Sequence, residues 1–303
     1  MNSATSRLLQ RKVSEIGNLP AMPTILQSLG ECLSQSASSV NVDRIVELIS
    51  YDKSLAAQCL RMANSALFRR RAPVDSLRGA VLALGMWRVR DIVYSCTLPA
   101  AMPRSKKGMA PATFWRHALA TALVSQHLAQ SLRIEPVEKF YLAGLLHDIG
   151  ILVNALLFPD EFQKALAQAE SSETPLWEVE QQVLGFTHCE SGRILADVWN
   201  LPADIAAAVE FHHAPASDAE YVEISSTIHL ADLLCRLRGL GYGYYEARAF
   251  DLPSEEAWRV LQKGHGAAAA ELDLARFTFE LDEHAVRIQE LVDSIFAPEA
   301  VRV

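Results

Sequence analysis

Seven side chains in this sequence have the types and settings of one metal centre: His117, His147, Asp148, His188, His212, His213 and Asp232. Imidazole nitrogen and carboxylate oxygen together suit a divalent ion of the borderline or hard class, among them Fe, Mn, Zn, Ni and Mg. The adjacent pair His147-Asp148 anchors the set. It lies within AGLLHDIG, where Leu145, Leu146 and Ile149 imply burial, and a buried carboxylate needs a partner charge or a metal. Asp232 stands between Leu230 and Leu233 and has the same need. Seven candidate ligands exceed what one tetrahedral ion takes. They suffice for one or two ions, the pair sharing a bridging carboxylate, most naturally Asp148. Two such ions would lower the pKa of a bridging water toward neutrality and let the hydroxide attack a phosphoester in line. The alternative is a metal-free network of buried His–Asp hydrogen bonds, which serves as a scaffold.

The elements that must position these residues all have helical spacing. Ile45, Val46, Leu48 and Ile49 make one apolar face, and Leu55, Cys59, Leu60 and Ala63 another. Val81, Leu82 and Leu84 form a short helix ended by Gly85, and Ile92, Val93 and Leu98 follow on a helix that Pro99 stops. Asn64 and Ser65 read as helix-terminating residues. Thr113 is placed to cap a helix through FWRHALATALVSQHLAQSL that carries His117. KFYLAGLLHDIGILVNALLF reads as one apolar helix. Thr174-Pro175 opens the next, ended by Gly185. Thr187-x-x-Glu190 has the spacing of a capping box, which puts His188 in a first turn. Leu201-Pro202 starts a helix ending at His212-His213, and Asp232 rides on EISSTIHLADLLCRL. No alternating run is flanked by hairpin turns, so strands are few or absent.

The whole chain sets bounds on this reading. Its 303 residues allow one large domain or two ordinary ones, and half of them are hydrophobic, enough for a sizeable core. Residues 1–107 carry 15 Lys+Arg against 7 Asp+Glu, a net of +8, whereas residues 108–303 carry 13 against 29, a net of −16. This change of sign, with the Pro-rich segment from Pro99 to Pro111, places a domain boundary near residue 107. The expected domains are therefore 1–107 and 108–303. The absence of a long uninterrupted apolar run and of a signal-like start speaks against a membrane. The five scattered cysteines read as reduced buried thiols, as in a cytoplasmic protein.

The ordered motifs resemble the HDOD group, the HD-related output domains of the HD phosphohydrolase superfamily. LPAMP, DKSLAAQCLRMANSALF and VDSLRGAVLALG carry the resemblance in the first part. FWRHALATA, AGLLHDIGILV, VLGFTHCESGRILADVWNLP, FHH and HLADLL carry it in the second. It implies an all-α fold, with a basic N-terminal helical subdomain packed on an HD-like helical bundle. It also implies that His117, His147, Asp148 and Asp232 form the minimal HD metal site, and that His188, His212 and His213 are the added histidines of two-metal members. Proteins of this group are regarded as bacterial signalling modules, many of them lacking parts of the catalytic set. The cyclic-di-GMP phosphodiesterases of the HD-GYP group follow their His-His with a glutamate and a GxGYP loop. Here FHHAPAS follows, and the run Gly239 to Gly243 falls after Asp232 as a plain loop. No basic residue accompanies the HD pair, which weakens the hydrolase reading.

The expected function is a cytoplasmic bacterial signal-transduction protein of HDOD type with a metal-binding core, catalytic or not. Its partner would be another signalling protein or a small phosphorylated ligand. An active phosphohydrolase on a nucleotide or cyclic dinucleotide is the first alternative, with Arg116 or Arg193 as phosphate holders or plain surface residues. A DNA-binding regulator acting through residues 76–97 is the second. In that reading Arg88 and Arg90 head a recognition helix near Arg69-Arg70-Arg71. Trp87, Ile92 and Val93 look like core instead, which disfavours nucleic acid. His229, one turn before Asp232, is expected to support the site from behind, and His127 has no assigned place.

Overall fold

Every regular element is helical, as the spacing of apolar residues predicts. In the computed structural model, which describes residues 20–34, 42–68, 72–102, 110–242 and 251–296, there is no strand among the described residues. The chain divides into two units. The smaller comprises residues 20–102 with 286–303, and the larger residues 103–285 with 1–19. The expected boundary at 107/108 falls among residues 103–109, outside the described set, as does the arginine run 69–71.

The smaller unit contains α1 (Thr24–Ser34), α2 (Val42–Ser50), α3 (Lys53–Ala63), α4 (Leu77–Leu84) and α5 (Met86–Ala101). Ile45, Ile49, Leu55, Cys59 and Ala63 are buried, as their spacing requires, while Leu82 is 72% exposed and is not core. Asp52 caps α3 through its carboxylate, which accepts from the amides of Ser54 and Leu55. Asn64 ends α3 and clamps the following loop, its amide bonding Leu60 O and both backbone groups of Val74. Gly85 adopts φ 86°, the left-handed region that a side chain would resist, and so separates α4 from α5. Pro99 does not stop α5, which runs on to Ala101. A proline in the last turn loses only one internal hydrogen bond. A cavity of about 540 Å³ lies among α1, α2, α3 and α5, lined by Ile25, Leu48, Leu55 and Cys96, with Asp52 as the charged lining residue.

The larger unit is a bundle of α6 (Pro111–Leu132), α7 (Glu138–Leu146), α8 (Ile149–Leu157), α9 (Pro159–Ser172), α10 (Leu176–Val183), α11 (His188–Val198), α12 (Ala203–Phe211), α13 (Val222–Leu237) and α14 (Glu256–Glu271). The final helix, α15 (Leu274–Phe296), spans the division between the units. Helix α6 starts at Pro111 with Ala110 before it, so Thr113 lies inside the helix and caps nothing. First-turn proline is favourable because its missing N–H would be unpaired there anyway. The apolar stretch expected as one helix is two, broken at His147-Asp148, where Asp148 has φ −100° and ψ 13°. The 18-residue apolar window within Glu138–Leu157 is 83% buried inside the protein.

Two close approaches lock this bundle around the break. A Cβ on Gly150 would lie 1.9 Å from His188 O, and one on Gly192 2.7 Å from Val209 Cγ1. Only glycine lets α8 and α11 come so near. A Cβ on Gly144 would meet Ser125 Oγ and the backbone of α6 at 2.6–2.7 Å, which fixes α7 against the helix carrying His117.

A candidate metal centre in the larger unit

Each of the seven predicted residues is delivered to one buried region by a different piece of local structure. His117 projects from the middle of α6, and His147-Asp148 occupy the break between α7 and α8. His188 opens α11, whose capping box of Thr187 and Glu190 is formed on both sides. His212 ends α12, His213 follows it, and Asp232 lies mid-way along α13. His117, His147, Asp148, His188, His212 and Asp232 are at most 1% exposed, and His213 is partly buried.

The carboxylate of Asp148 stands at the middle. Its Oδ2 lies 3.1 Å from His147 Nε2 and 3.7 Å from His117 Nε2. Its Oδ1 lies 3.2 Å from His188 Nε2 and 3.1 Å from His212 Nε2. Asp232 Oδ1 joins the first pair, 3.1 Å from His117 Nε2 and 3.9 Å from His147 Nε2. His213 Nε2 joins the second, 3.1 Å from His188 Nε2. The cluster thus has two halves that share Asp148, the arrangement expected of a bridging carboxylate.

Four of the histidines are oriented through the opposite ring nitrogen. Nδ1 bonds Leu240 O in His117, Gly144 O in His147 and Val209 O in His212, at 2.7–2.9 Å. In His188 it bonds Glu180 Oε2 at 2.6 Å. A ring that donates from Nδ1 presents the lone pair of Nε2 inward, as a metal ligand must. Yet His117 Nε2, His147 Nε2 and Asp148 Oδ1 have no aligned hydrogen bond, although charged neighbours approach closely. Orphaned polar atoms at this depth are rare, and an ion at their convergence would supply the missing partner. The residues therefore fit a divalent metal.

The charges follow from this crowding. Burial alone would raise Asp148, but the imidazoles of His147, His188 and His212 outweigh it and hold the carboxyl well below its usual range. Burial would likewise raise Asp232, and it is overcome by the Arg236 guanidinium and His117, so this carboxyl is also depressed. Burial lowers His147, with Asp148 opposing. It also lowers His213, reinforced by His212, Arg236 and His188. His188 goes the other way: burial is outweighed by Glu180, Cys189 and Asp148. His212 rises to about 10, since Cys189 and Asp148 outweigh its burial. The Cys189 thiol is held at about 7, because His212 and His188 outweigh its burial.

Several contributors escaped the sequence reading. Glu180 is fully buried, bonds both His188 N and His188 Nδ1, and is itself held by Asn154. Tyr242 Oη donates to Asp148 Oδ2 at 2.7 Å. Arg236 grips Asp232 with two nitrogens, from Nε at 2.7 Å and from Nη2. Its position four residues after a buried aspartate was the available signal. Cys189, adjacent to His188, lies 3.9 Å from His212 Nε2. The loop after Asp232 is no idle connection: it brings Leu240 O to His117 and Tyr242 to Asp148. Arg116, partly buried, holds that loop through Gly241 O at 3.0 Å. Arg193 pairs with Asp197 and Glu210. His229 Nδ1 bonds His212 O at 2.6 Å, and His127 lies away with Phe277 and Glu280.

Comparison with known proteins agrees with this architecture. The HDOD domain matches over residues 19–215, and the chain belongs to the HDOD family. An HDOD domain protein of unknown function from Geobacter sulfurreducens is 26% identical, with a TM-score of 0.85 over 97% of this chain and 99% of that one. A "Putative phosphohydrolase" from Shewanella amazonensis is 24% identical, with a TM-score of 0.74 over 97% and 99% of the two chains. A "Putative signal transduction protein" from Marinobacter aquaeolei has the same TM-score at 23% identity, covering 97% of this chain and 66% of that one. The last two likenesses are of fold. An uncharacterized protein of Treponema pallidum is 25% identical over 238 residues, and the chain spans about half (46%) of that relative's length.

Proposed function

We propose that this chain is a cytoplasmic bacterial signal-transduction protein of HDOD type whose larger unit holds one or two divalent ions in a closed centre. The observation that carries the reading is the set of orphaned atoms, His117 Nε2, His147 Nε2 and Asp148 Oδ1, at the convergence of seven ligand side chains. His117, His147, Asp148 and Asp232 would hold one ion, and Asp148, His188, His212 and His213 the other. Closure favours structure or sensing over turnover. The Tyr242 hydroxyl and the Arg236 guanidinium occupy the carboxylates, and all seven ligands except His213 are almost fully buried. The input would come from a protein partner. Among the described residues the cavity of the smaller unit is lined by a carboxylate and by no basic side chain, which argues against a phosphorylated ligand there. Nucleic acid is disfavoured because Arg90, one of the two arginines expected to head a recognition helix, is buried against Asp91, although the other, Arg88, is partly exposed. Trp87, expected as core, is 38% exposed, with the Arg90 guanidinium over its ring.

A second reading, a metal-dependent phosphohydrolase, is favoured by the way the two oxygens of Asp148 face different pairs of histidines. Two bound ions supply an activated water and neutralise phosphoryl charge, while the partly exposed His213 marks the open edge of the centre. An assay of metal-loaded protein on a generic phosphodiester, bis(p-nitrophenyl) phosphate, separates the two. The closed-centre reading expects no turnover above the Asp148→Ala background. Metal-dependent turnover absent from that variant would replace it with the hydrolase reading.

A further inference from the structure

The two halves of the centre differ in chemistry. The half around His117 and His147 offers only nitrogen and carboxylate oxygen. The half around His188 also contains sulfur: ligand atoms of His188, Cys189, His212 and His213 all lie within 4.8 Å of one another. We propose that Cys189 is a thiolate ligand, so that this half takes a zinc-class ion through sulfur and imidazole nitrogen. The proposal rests on the metal-centre reading above and adds the identity of one ligand and the class of ion.

Geometry supports it. With metal–nitrogen bonds near 2.0–2.1 Å and a metal–sulfur bond near 2.3 Å, a five-ligand site that keeps Asp148 has edges of ~2.9–3.6 Å between two nitrogens and ~3.1–3.8 Å between nitrogen and sulfur. Here His188 Nε2 and His213 Nε2 are 3.1 Å apart, and Cys189 Sγ and His212 Nε2 are 3.9 Å apart. At 3.9 Å a thiol–imidazole hydrogen bond is near its limit of length, whereas the edge of a coordination polyhedron has this size. Cys189 is the second residue of α11, fixed by the same capping box that places His188. It is only 7% exposed, so bulk solvent does not compete for the sulfur. A second, independent observation points into the same space: Asp148 Oδ1, fully buried and without a hydrogen bond, faces His188 Nε2 and His212 Nε2. Thiolate ligands favour zinc and other thiophilic ions, whereas carboxylate ligands suit harder ions. The centre therefore has one sulfur-containing half and one half of nitrogen and oxygen alone.

The test is cobalt substitution of the full chain after chelation, followed by near-ultraviolet absorption and measured cobalt content. The wild type is expected to bind cobalt and show a thiolate-to-cobalt charge-transfer band, and Cys189→Ser to lose the band and one equivalent of metal. Cys235→Ser serves as the control and should keep both. If Cys189→Ser fails to fold, as judged by circular dichroism, zinc-edge X-ray absorption of the wild type answers without a variant, through a sulfur neighbour at about 2.3 Å. Metal binding with no sulfur signature would overturn the inference and leave the metal centre standing. Failure of the wild type to bind cobalt or zinc would overturn both.

Discussion

The two units each bury a carboxylate to 1% exposure, and they treat it in opposite ways. In the smaller unit Asp91 receives its neighbour Arg90 through Nε at 3.1 Å and Nη2 at 2.6 Å, and neither side chain of this buried pair holds an orphaned polar atom. In the larger unit Asp148 is surrounded by four imidazoles and a tyrosine hydroxyl, yet one of its oxygens and two of the facing nitrogens lack an aligned bond. Burial of charge is common to both. What separates a structural ion pair from a site is whether its polar atoms satisfy one another or point at a shared vacancy of bonding.

The sharpest way to break this contrast is to remove each carboxylate in turn. Asp91→Ala should cost about 3–5 kcal/mol in chemical denaturation, since it breaks a buried ion pair by removing one partner, and should leave metal content unchanged. Asp148→Ala should abolish metal binding. If Asp91→Ala instead lowered metal content by a whole equivalent in folded protein, the two carboxylates would not be separate in kind. Gly150→Ala comes next. The added methyl meets His188 O, so α8 and α11 must part; about 1–3 kcal/mol of stability should be lost, with a measurable drop in metal affinity by calorimetry.

Glu180→Gln probes how the rings are held. It removes the carboxylate from His188 Nδ1, and a loss of about 10–100-fold in metal affinity is expected with the fold intact. No change would show that Glu180 is a bystander. The smallest effect concerns pH. Their acidic surroundings raise His188 and His212 above the usual imidazole range, His212 to about 10. An ion binds only neutral imidazole, so binding releases protons and affinity rises with pH, by about tenfold or less per unit for each proton displaced. Calorimetry in buffers of different protonation enthalpy should show net proton release. Proton uptake would contradict the assignment of these rings as ligands.

Much of this was legible before any coordinates. The apolar spacing reads as helix throughout, Thr187 and Glu190 announce the start of α11, and the leucines around Asp148 and Asp232 announce buried charge. The rest depends on how distant pieces meet. Nothing local marks Glu180 as the partner of His188, because its neighbours Val179 and Gln181 give an ordinary amphipathic pattern. Tyr242 reaches Asp148 across 94 positions. Its loop reads as flexible glycine because the value of that loop lies in a carbonyl and a hydroxyl rather than in a motif. The break at His147-Asp148 is hidden because the residues on both sides favour helix equally. Cys189 reads as one scattered thiol among five until α11 and α12 are set side by side.

The most direct measurement is the metal content of the wild-type protein purified with neither added metal nor chelator, by elemental analysis, with Asp148→Ala and Asp91→Ala alongside. About one to two equivalents of divalent metal are expected in the wild type and in Asp91→Ala, and none in Asp148→Ala. A wild type that carries no metal, even after reconstitution with zinc, iron, nickel or manganese, would contradict the metal centre and leave the histidines as a buried polar network.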